Sequence, residues 1–111
     1  LVYRYNASVL KVVDGDTIDA MIDLGFSVWV KKRIRLYGID APETRTRNLE
    51  EKALGFQTKD RLVELLEKSD NKFVLVSHGV GKYGRCLGTI LINDTDINQL
   101  LIKEGLAEEY R

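Results

Sequence analysis

One long helical pattern lies between strand-like segments, and this order restricts the fold more than any other feature of the sequence. Asn48 followed by Glu51 is typical of a helix start and predicts a helix over residues 49–68. Segments rich in alternating or β-branched residues predict three strands before it and two after it, over residues 8–14, 17–24, 26–37, 72–78 and 85–92. A short second helix is predicted over residues 97–104.

Five strands with a helix between the third and the fourth have the connectivity of an OB-fold barrel. We therefore predict an α+β fold that is mainly β: a five-stranded OB-fold barrel with this inserted helix and a C-terminal helix. The chain has 111 residues, enough for one hydrophobic core, so we expect a single domain over residues 1–111.

The third predicted strand separates apolar from cationic side chains, because residues two apart share a face. The parity that we assign to the core contains Phe26, Val28, Val30, Ile34 and Leu36. The opposite parity contains Trp29, Lys31, Arg33, Arg35 and Tyr37. Trp29 and Tyr37 either form a stacking surface or pack under the first helix or against a partner chain, and packing is slightly favoured. The predicted buried stripe of the long helix consists of Ala53, Phe56, Val63 and Leu66, flanked by Leu62 and Leu65.

Composition narrows the function classes. Lys and Arg total 17, as do Asp and Glu, and the resulting zero net charge counts mildly against a nucleic-acid binder. No apolar run approaches the roughly 20 residues of a membrane helix, so we expect no membrane association. The single cysteine, Cys86, excludes an intrachain disulfide and is expected in the core. The chain lacks an initial Met and a signal-peptide pattern, which leaves secreted and intracellular locations both open.

Three acidic residues follow strand ends and are candidate metal ligands. Asp16 follows a tight Asp-Gly turn, Asp40 follows the third strand, and Glu43 lies three residues further on. Such hard oxygen donors suit calcium or magnesium rather than zinc. Pro42 favours an extended Ala41, whose carbonyl can then turn toward the same metal. The alternative is that both acidic motifs are ordinary turn and loop composition.

Two arginines are candidates for phosphate binding. A guanidinium group matches the geometry of phosphate oxygens, and Arg35 lies on the non-core face five residues before Asp40. Arg85 opens a strand after a glycine-rich turn and is expected at a barrel rim. Taken singly, each can equally be a solvated surface arginine. The remaining nearby cations are candidate phosphate-steering charges: Arg33, Arg45, Arg47 and Lys82.

Together these motifs resemble the staphylococcal nuclease (thermonuclease) family. The resemblance rests on residues 13–17 (Val-Asp-Gly-Asp-Thr), 35–44 (Arg-Leu-Tyr-Gly-Ile-Asp-Ala-Pro-Glu-Thr) and 82–85 (Lys-Tyr-Gly-Arg). The segment 98–107 is also similar to that family's last helix, so the likeness extends over most of the chain. The segment 23–32 is longer than the family's usual hairpin, and the loop 44–48 is shorter.

The resemblance implies a calcium-dependent nuclease. It implies that Asp16, Asp40 and the carbonyl of Ala41 bind Ca2+, that Glu43 is the general base, and that Arg35 and Arg85 bind the phosphate. The implied supporting and substrate-contacting residues are Asp14 and Thr17, and Tyr83, Lys82 and Tyr110. The family cuts DNA and RNA with little sequence preference, favours single-stranded or frayed regions and leaves 3′-phosphates. We expect this chain to do the same as a monomer.

Two alternatives remain at this stage. The first is a module of the same fold that has lost catalysis and binds single-stranded nucleic acid or a protein partner. The presence of all five implied active-site side chains argues against it: Asp16, Arg35, Asp40, Glu43 and Arg85. The second is a purely structural or oligosaccharide-binding barrel, which leaves those acids and arginines unexplained. The only histidine, His78, has no nucleophile near it in sequence and is expected at a strand end or on the surface.

Overall fold

Five long strands form a closed barrel in the computed structural model, which describes residues 3–110. The barrel strands are β1 (Tyr3–Asp14), β2 (Thr17–Asp23), β3 (Trp29–Leu36), β5 (Lys72–Val80) and β6 (Cys86–Ile92). Three two-residue strands accompany them: β4 (Ile39–Asp40), β7 (Thr95–Asp96) and β8 (Glu108–Glu109). The helices are α1 (Leu49–Glu67) and α2 (Ile97–Lys103), and a 3-10 turn covers Lys82–Gly84.

Strand pairing confirms the predicted OB-fold barrel. Neighbouring strands are antiparallel in the order β3-β2-β1-β5-β6. A parallel pairing of β3 with β6, from Ile34↔Cys86 to Leu36↔Gly88, closes the ring. Helix α1 connects the third long strand to the fourth, as predicted, and α2 follows the fifth.

The core contains alternate residues of β2 and, in the second half of β3, the apolar residues predicted to be buried. Ile18, Ala20, Ile34 and Leu36 are all buried. The prediction was wrong for Phe26 and Val28, whose relative exposures are 103% and 49%. The chain turns over residues 24–28 with positive φ at Gly25, Phe26 and Ser27, so β3 begins only at Trp29.

Helix α1 begins where the sequence predicted. The Asn48 side chain accepts hydrogen bonds from the backbone N–H groups of Glu50 and Glu51, both at 3.1 Å. Its buried face differs from the predicted stripe: the buried residues are Gly55, Thr58, Leu62 and Leu66, whereas Ala53 and Phe56 are exposed. The first half of this face consists of the small residues Gly55 and Thr58, because here α1 packs closely against the backbone of a loop.

The structure agrees with some of the predictions for the aromatic residues, the histidine and the cysteine, and differs from others. Trp29 is 52% exposed in the β2–β3 hairpin, and Tyr37 is 49% exposed and stacks on His78 with ring centroids 4.1 Å apart. Neither is buried beneath α1, so packing under that helix was wrong, and packing against a partner chain stays a prediction. His78 is exposed near the end of β5, as expected, and Cys86 is a free thiol only partly buried against the core. Neither α1 nor α2 is long and apolar enough to cross a membrane.

Candidate active site

The β1–β2 turn is fixed by close packing against helix α1. A Cβ atom on Gly15 would lie 2.5 Å from Cγ2 of Thr58 and 3.0 Å from Cβ of Ala41. The Thr58 hydroxyl donates to the Leu106 carbonyl at 2.6 Å, which ties the helix to the chain after α2. Only glycine permits this approach, and the result is that Asp16 faces the loop that begins at Asp40.

The Asp16 carboxylate is buried and is held by three different segments. Its Oδ1 accepts from the Thr17 hydroxyl at 3.0 Å, and its Oδ2 accepts from the backbone N–H of Ala41 at 2.9 Å. Nη1 of Arg35 lies 2.8 Å from the same Oδ2. Asp14 has a similar supporting contact, because it accepts a hydrogen bond from the hydroxyl of buried Thr44.

The Arg35 guanidinium lies between two carboxylates. Nη2 donates to Oδ1 of Asp40 at 3.4 Å while Nη1 contacts Asp16. The arginine side chain is only 15% exposed, and that of Asp40 is 56% exposed. Nη1 is buried and has no hydrogen bond of good geometry within residues 3–110, so its contact with Asp16 is electrostatic. The two acidic residues predicted to bind the metal, Asp16 and Asp40, thus both contact the Arg35 guanidinium.

Glu43 is exposed in the loop before α1, and the helix fixes the position of its backbone. A Cβ atom on Gly55 would lie 2.6 Å from the Glu43 carbonyl oxygen and 2.7 Å from that of Pro42. The N–H of Glu43 also donates to Oε1 of Glu51 at 3.4 Å. A cavity of about 610 Å³ is lined by Asp40, Ala41, Glu43 and residues of the first turns of α1. Glu43 therefore shares a cavity with two of the predicted metal ligands.

A second and larger groove, of about 860 Å³, contains the two predicted phosphate-binding arginines. Arg35 and Arg85 both line it, together with Lys82 and Tyr110. The Arg35 guanidinium lies 5.6 Å from the Tyr110 ring centroid, and that of Arg85 lies 5.9 Å from the ring of the 91%-exposed Tyr83. The groove therefore combines positive charge with the exposed ring of Tyr110, and the Tyr83 ring lies near Arg85 outside the groove lining.

The end of the chain contributes Tyr110 to this groove through backbone pairing. Strand β8 pairs with β4, and the N–H of Tyr110 donates to the Gly38 carbonyl at 2.9 Å. The buried Asn98 side chain fixes the neighbouring wall, since its amide donates to the carbonyls of Tyr37 and Gly88, both at 3.0 Å. Its Oδ1 also accepts from the N–H of Ile90 at 3.2 Å.

The donor set fits a hard divalent cation by its chemistry. Asp16 and Asp40 present carboxylates that are close enough to contact one guanidinium, and Ala41 lies between them and Glu43 in the chain. Within residues 3–110 no group of three or more His, Cys, Asp or Glu side chains is arranged to hold a metal ion. A cation here would thus take two side-chain carboxylates and complete its shell with backbone carbonyl and water, as calcium and magnesium commonly do.

Sequence reasoning missed several residues that position the site. Gly55 and Thr44 hold the 42–44 loop, and Asn98 holds the groove wall. The signal for Gly55 was present, because a lone glycine in a helical pattern suggests close packing. Thr44 and Asn98 lie in segments that resemble the family, but no local pattern indicates their hydrogen-bond partners, which are distant in the sequence.

Comparisons with known proteins find related sequences. The family model described as "Staphylococcal nuclease homologue" matches residues 33–111. The chain is 29% identical over 116 residues to the micrococcal nuclease of Shigella flexneri, covering 96% of the chain and 59% of that protein. It is 33% identical over 99 residues to the thermonuclease of Staphylococcus intermedius, covering 89% of the chain and 56% of that protein. The chain thus spans little more than half the length of these two relatives.

Proposed function

Because the chain belongs to the staphylococcal nuclease family, we propose that it hydrolyses the phosphodiester bonds of DNA and RNA, with calcium as cofactor. The observation that carries the proposal is the Arg35 guanidinium, which contacts Asp16 and Asp40 and lines the same groove as Arg85. Two arginines in one groove can bind a phosphate group from two directions. The products we expect carry 3′-phosphates, and we expect the chain to act as a monomer.

The need for a cation follows from competition for Arg35. In this structure two carboxylates already neutralise the guanidinium, at 2.8 Å and 3.4 Å. A phosphate group can compete for Arg35 only when a second positive charge balances the carboxylates of Asp16 and Asp40. Asp16, Asp40 and the carbonyl of Ala41 would hold Ca2+, which would supply that charge and lower the negative charge at the phosphate.

The chain's own residues then have distinct roles. Glu43, exposed and beside Asp40, accepts a proton from the attacking water. Arg35 and Arg85 stabilise the negative charge that develops on the phosphate oxygens in the transition state. Asp14 and Thr17 act through others: Asp14 fixes Thr44, and Thr17 fixes Asp16.

Exposed residues in and near the groove support a preference for single-stranded or frayed substrate. Tyr110 in the groove and Tyr83 near Arg85 present rings on which an unpaired base can stack, and Lys82 adds a positive charge. Because both arginines would bind phosphate rather than base edges, the reaction should have little sequence preference. The zero net charge of the chain requires the substrate to be held by this local cluster.

Calcium dependence is the first test. Hydrolysis of heat-denatured DNA should require added calcium and stop when a chelator is added. Full activity in chelator would contradict the metal assignment. Tight binding of single-stranded DNA without cleavage, in calcium or magnesium, would instead support the non-catalytic binding module.

Single substitutions test the side chains. Glu43→Gln should reduce turnover by about 10²–10⁴-fold through loss of the base. Arg85→Ala should reduce it by about 10²–10³-fold and leave the fold intact, since Arg85 is exposed. Glu67→Gln, at the exposed end of α1, is the charge-matched control for Glu43. If Glu43→Gln retained near-normal turnover, Glu43 would not be the general base and another group would have to accept the proton.

A further inference from the structure

The β2–β3 hairpin has a row of side chains that the proposed reaction does not use. Seven consecutive pairs join the two strands without a bulge, from Thr17↔Arg35 to Asp23↔Trp29. Since side chains alternate along a strand, Trp29, Lys31 and Arg33 lie on the same face of β3 as Arg35. The row from Trp29 to Arg35 spans six residue steps, or about 20 Å.

This face carries more positive than negative charge. Arg33 is paired with Asp19, through Nε to Oδ1 at 2.8 Å and Nη2 to Oδ2 at 3.2 Å. Lys11 lies opposite Asp19 in the β1–β2 pairing. The pKa of Asp19 is lowered mainly by the hydrogen bond from Arg33, and further by the charges of Arg33, Lys31 and Lys11. The Asp19 carboxylate therefore neutralises Arg33 and leaves these lysines without a paired acid among the described residues 3–110.

The two lysines remain available to a ligand. Neither Lys11 nor Lys31 has a carboxylate within 4.0 Å in the part of the chain that the structure describes. The other acid on this face, Asp23, is turned toward the hairpin turn, where it accepts a hydrogen bond from the N–H of Gly25 at 2.8 Å. Trp29, 52% exposed, lies at the outer end of the row.

We propose that this face of β3 extends the substrate groove and binds single-stranded nucleic acid that leaves the active site at Arg35. A base stacks on Trp29, and Lys31 and Lys11 contact phosphates. At the 3.4 Å rise of a fully stacked strand, about 20 Å accommodates at most about six nucleotides, and an extended strand covers it with fewer. The inference rests on the proposed function, because Arg35 joins this face to the catalytic groove.

The hairpin tip also allows a different partner. Leu24, Phe26 and Val28 are exposed beside Trp29 and could enter the surface of an anionic membrane. Continuity of the face with Arg35 favours nucleic acid. The two occupants differ in the residues they need, because a membrane would contact the tip, whereas a nucleic acid strand needs Lys31, inside the hairpin.

The test compares the binding of a labelled single-stranded dodecamer with that of a trinucleotide. Fluorescence anisotropy is measured with calcium in a Glu43→Gln background, which keeps the strands intact. Trp29→Ala should weaken dodecamer binding by about 5–150-fold and so reduce its advantage over the trinucleotide. Lys31→Ala should lower the slope of log Kd against log salt by about 0.7.

Lys32→Ala is the matched control. Lys32 is adjacent, exposed and equally charged, but it has the opposite parity on β3. Its loss should leave dodecamer affinity within twofold of the starting protein. Equal effects of Lys31→Ala and Lys32→Ala would mean that net charge, and not this face, is responsible, and would overturn the proposal. Urea unfolding midpoints identify any variant that fails to fold.

Two further outcomes are decisive. Unchanged dodecamer binding in both Trp29→Ala and Lys31→Ala overturns this proposal but leaves the proposed nuclease function intact, because trinucleotide cleavage by the wild type tests that function separately. Sedimentation with vesicles of phosphatidylcholine and phosphatidylserine tests the membrane. Vesicle binding that Trp29→Ala abolishes, with dodecamer binding unchanged, would overturn the proposal in favour of a lipid surface.

Discussion

Replacement of Gly55 by alanine tests whether helix α1 positions the proposed base. In an exposed helix interior this change would stabilise the protein by about 1 kcal/mol, through helix propensity. Here the new Cβ would meet the carbonyl oxygens of Glu43 at 2.6 Å and Pro42 at 2.7 Å. These are backbone atoms, so they cannot yield by a rotamer change.

The structure gives the size of the expected displacement. An ordinary contact begins at about 3.4 Å, so the Glu43 carbonyl must move by about 0.8 Å relative to the helix. Overpacking of this kind costs about 1–3 kcal/mol, which leaves a net loss of about 1 kcal/mol after the propensity gain. A misplacement of about 1 Å near a reacting group can reduce the rate by about 10²-fold. We therefore expect kcat to decrease by tens of fold or more.

Ala53→Gly is the matched control. Ala53 is exposed on the same helix, and the change should remove about 1 kcal/mol through propensity alone. Both variants are measured by urea unfolding and by calcium-dependent hydrolysis of denatured DNA. The two should lose similar stability, and only Gly55→Ala should lose activity. A Gly55→Ala protein that is about 1 kcal/mol more stable and fully active would refute the reasoning.

Three further predictions concern the contacts around the site. Asn98→Leu removes three hydrogen bonds from the groove wall and leaves the Tyr37 carbonyl and the Ile90 N–H without their Asn98 partner, whereas the Gly88 carbonyl keeps the N–H of Tyr37. It should lower the free energy of unfolding by about 2 kcal/mol or more, measured in urea. Thr58→Val leaves the Leu106 carbonyl without its donor and should lower it by about 1–3 kcal/mol, whereas Thr58→Ser should lower it less. The hydrogen bond from Arg61 lowers the pKa of Glu104 from 4.5, so this pair stabilises the protein above about pH 4.5. Glu104→Gln should therefore be less stable than the wild type at pH 7, with the difference vanishing as the pH falls through the lowered pKa; a constant difference down to pH 2 would contradict this.

Local patterns in the sequence were sufficient for the element order. Alternation in β3 located the core face around Ile34, and Asn48 marked the start of α1. These signals are local, because strand periodicity and capping involve residues only two to four positions apart. The pattern was misleading at Phe26, where alternation continued through a turn that left-handed backbone conformations create.

For the candidate site, too, local motifs indicated the residues, and only the tertiary structure shows their contacts. The sequence motifs contain Asp16, Arg35 and Asp40 as candidate site residues, and in the structure Arg35 contacts both acids. Their roles in catalysis, and those predicted for Glu43 and Arg85, remain predictions that the substitutions above test. The sequence contained no indication that Arg35 bridges two acids, because that contact depends on the β3 register and on the turn at Gly15.

What the sequence determined by itself was the order of strands and helices, the cap of α1 and the set of candidate site residues. Only the tertiary structure decided that β3 pairs with β6, that small residues such as Gly55 face the loop, and that Arg85 joins Arg35 in one groove. The physical reason is the distance along the chain over which each interaction acts. Backbone propensity and periodicity act within a few residues, whereas closing the barrel and packing α1 against the 42–43 loop depend on steric fit between segments far apart in the chain.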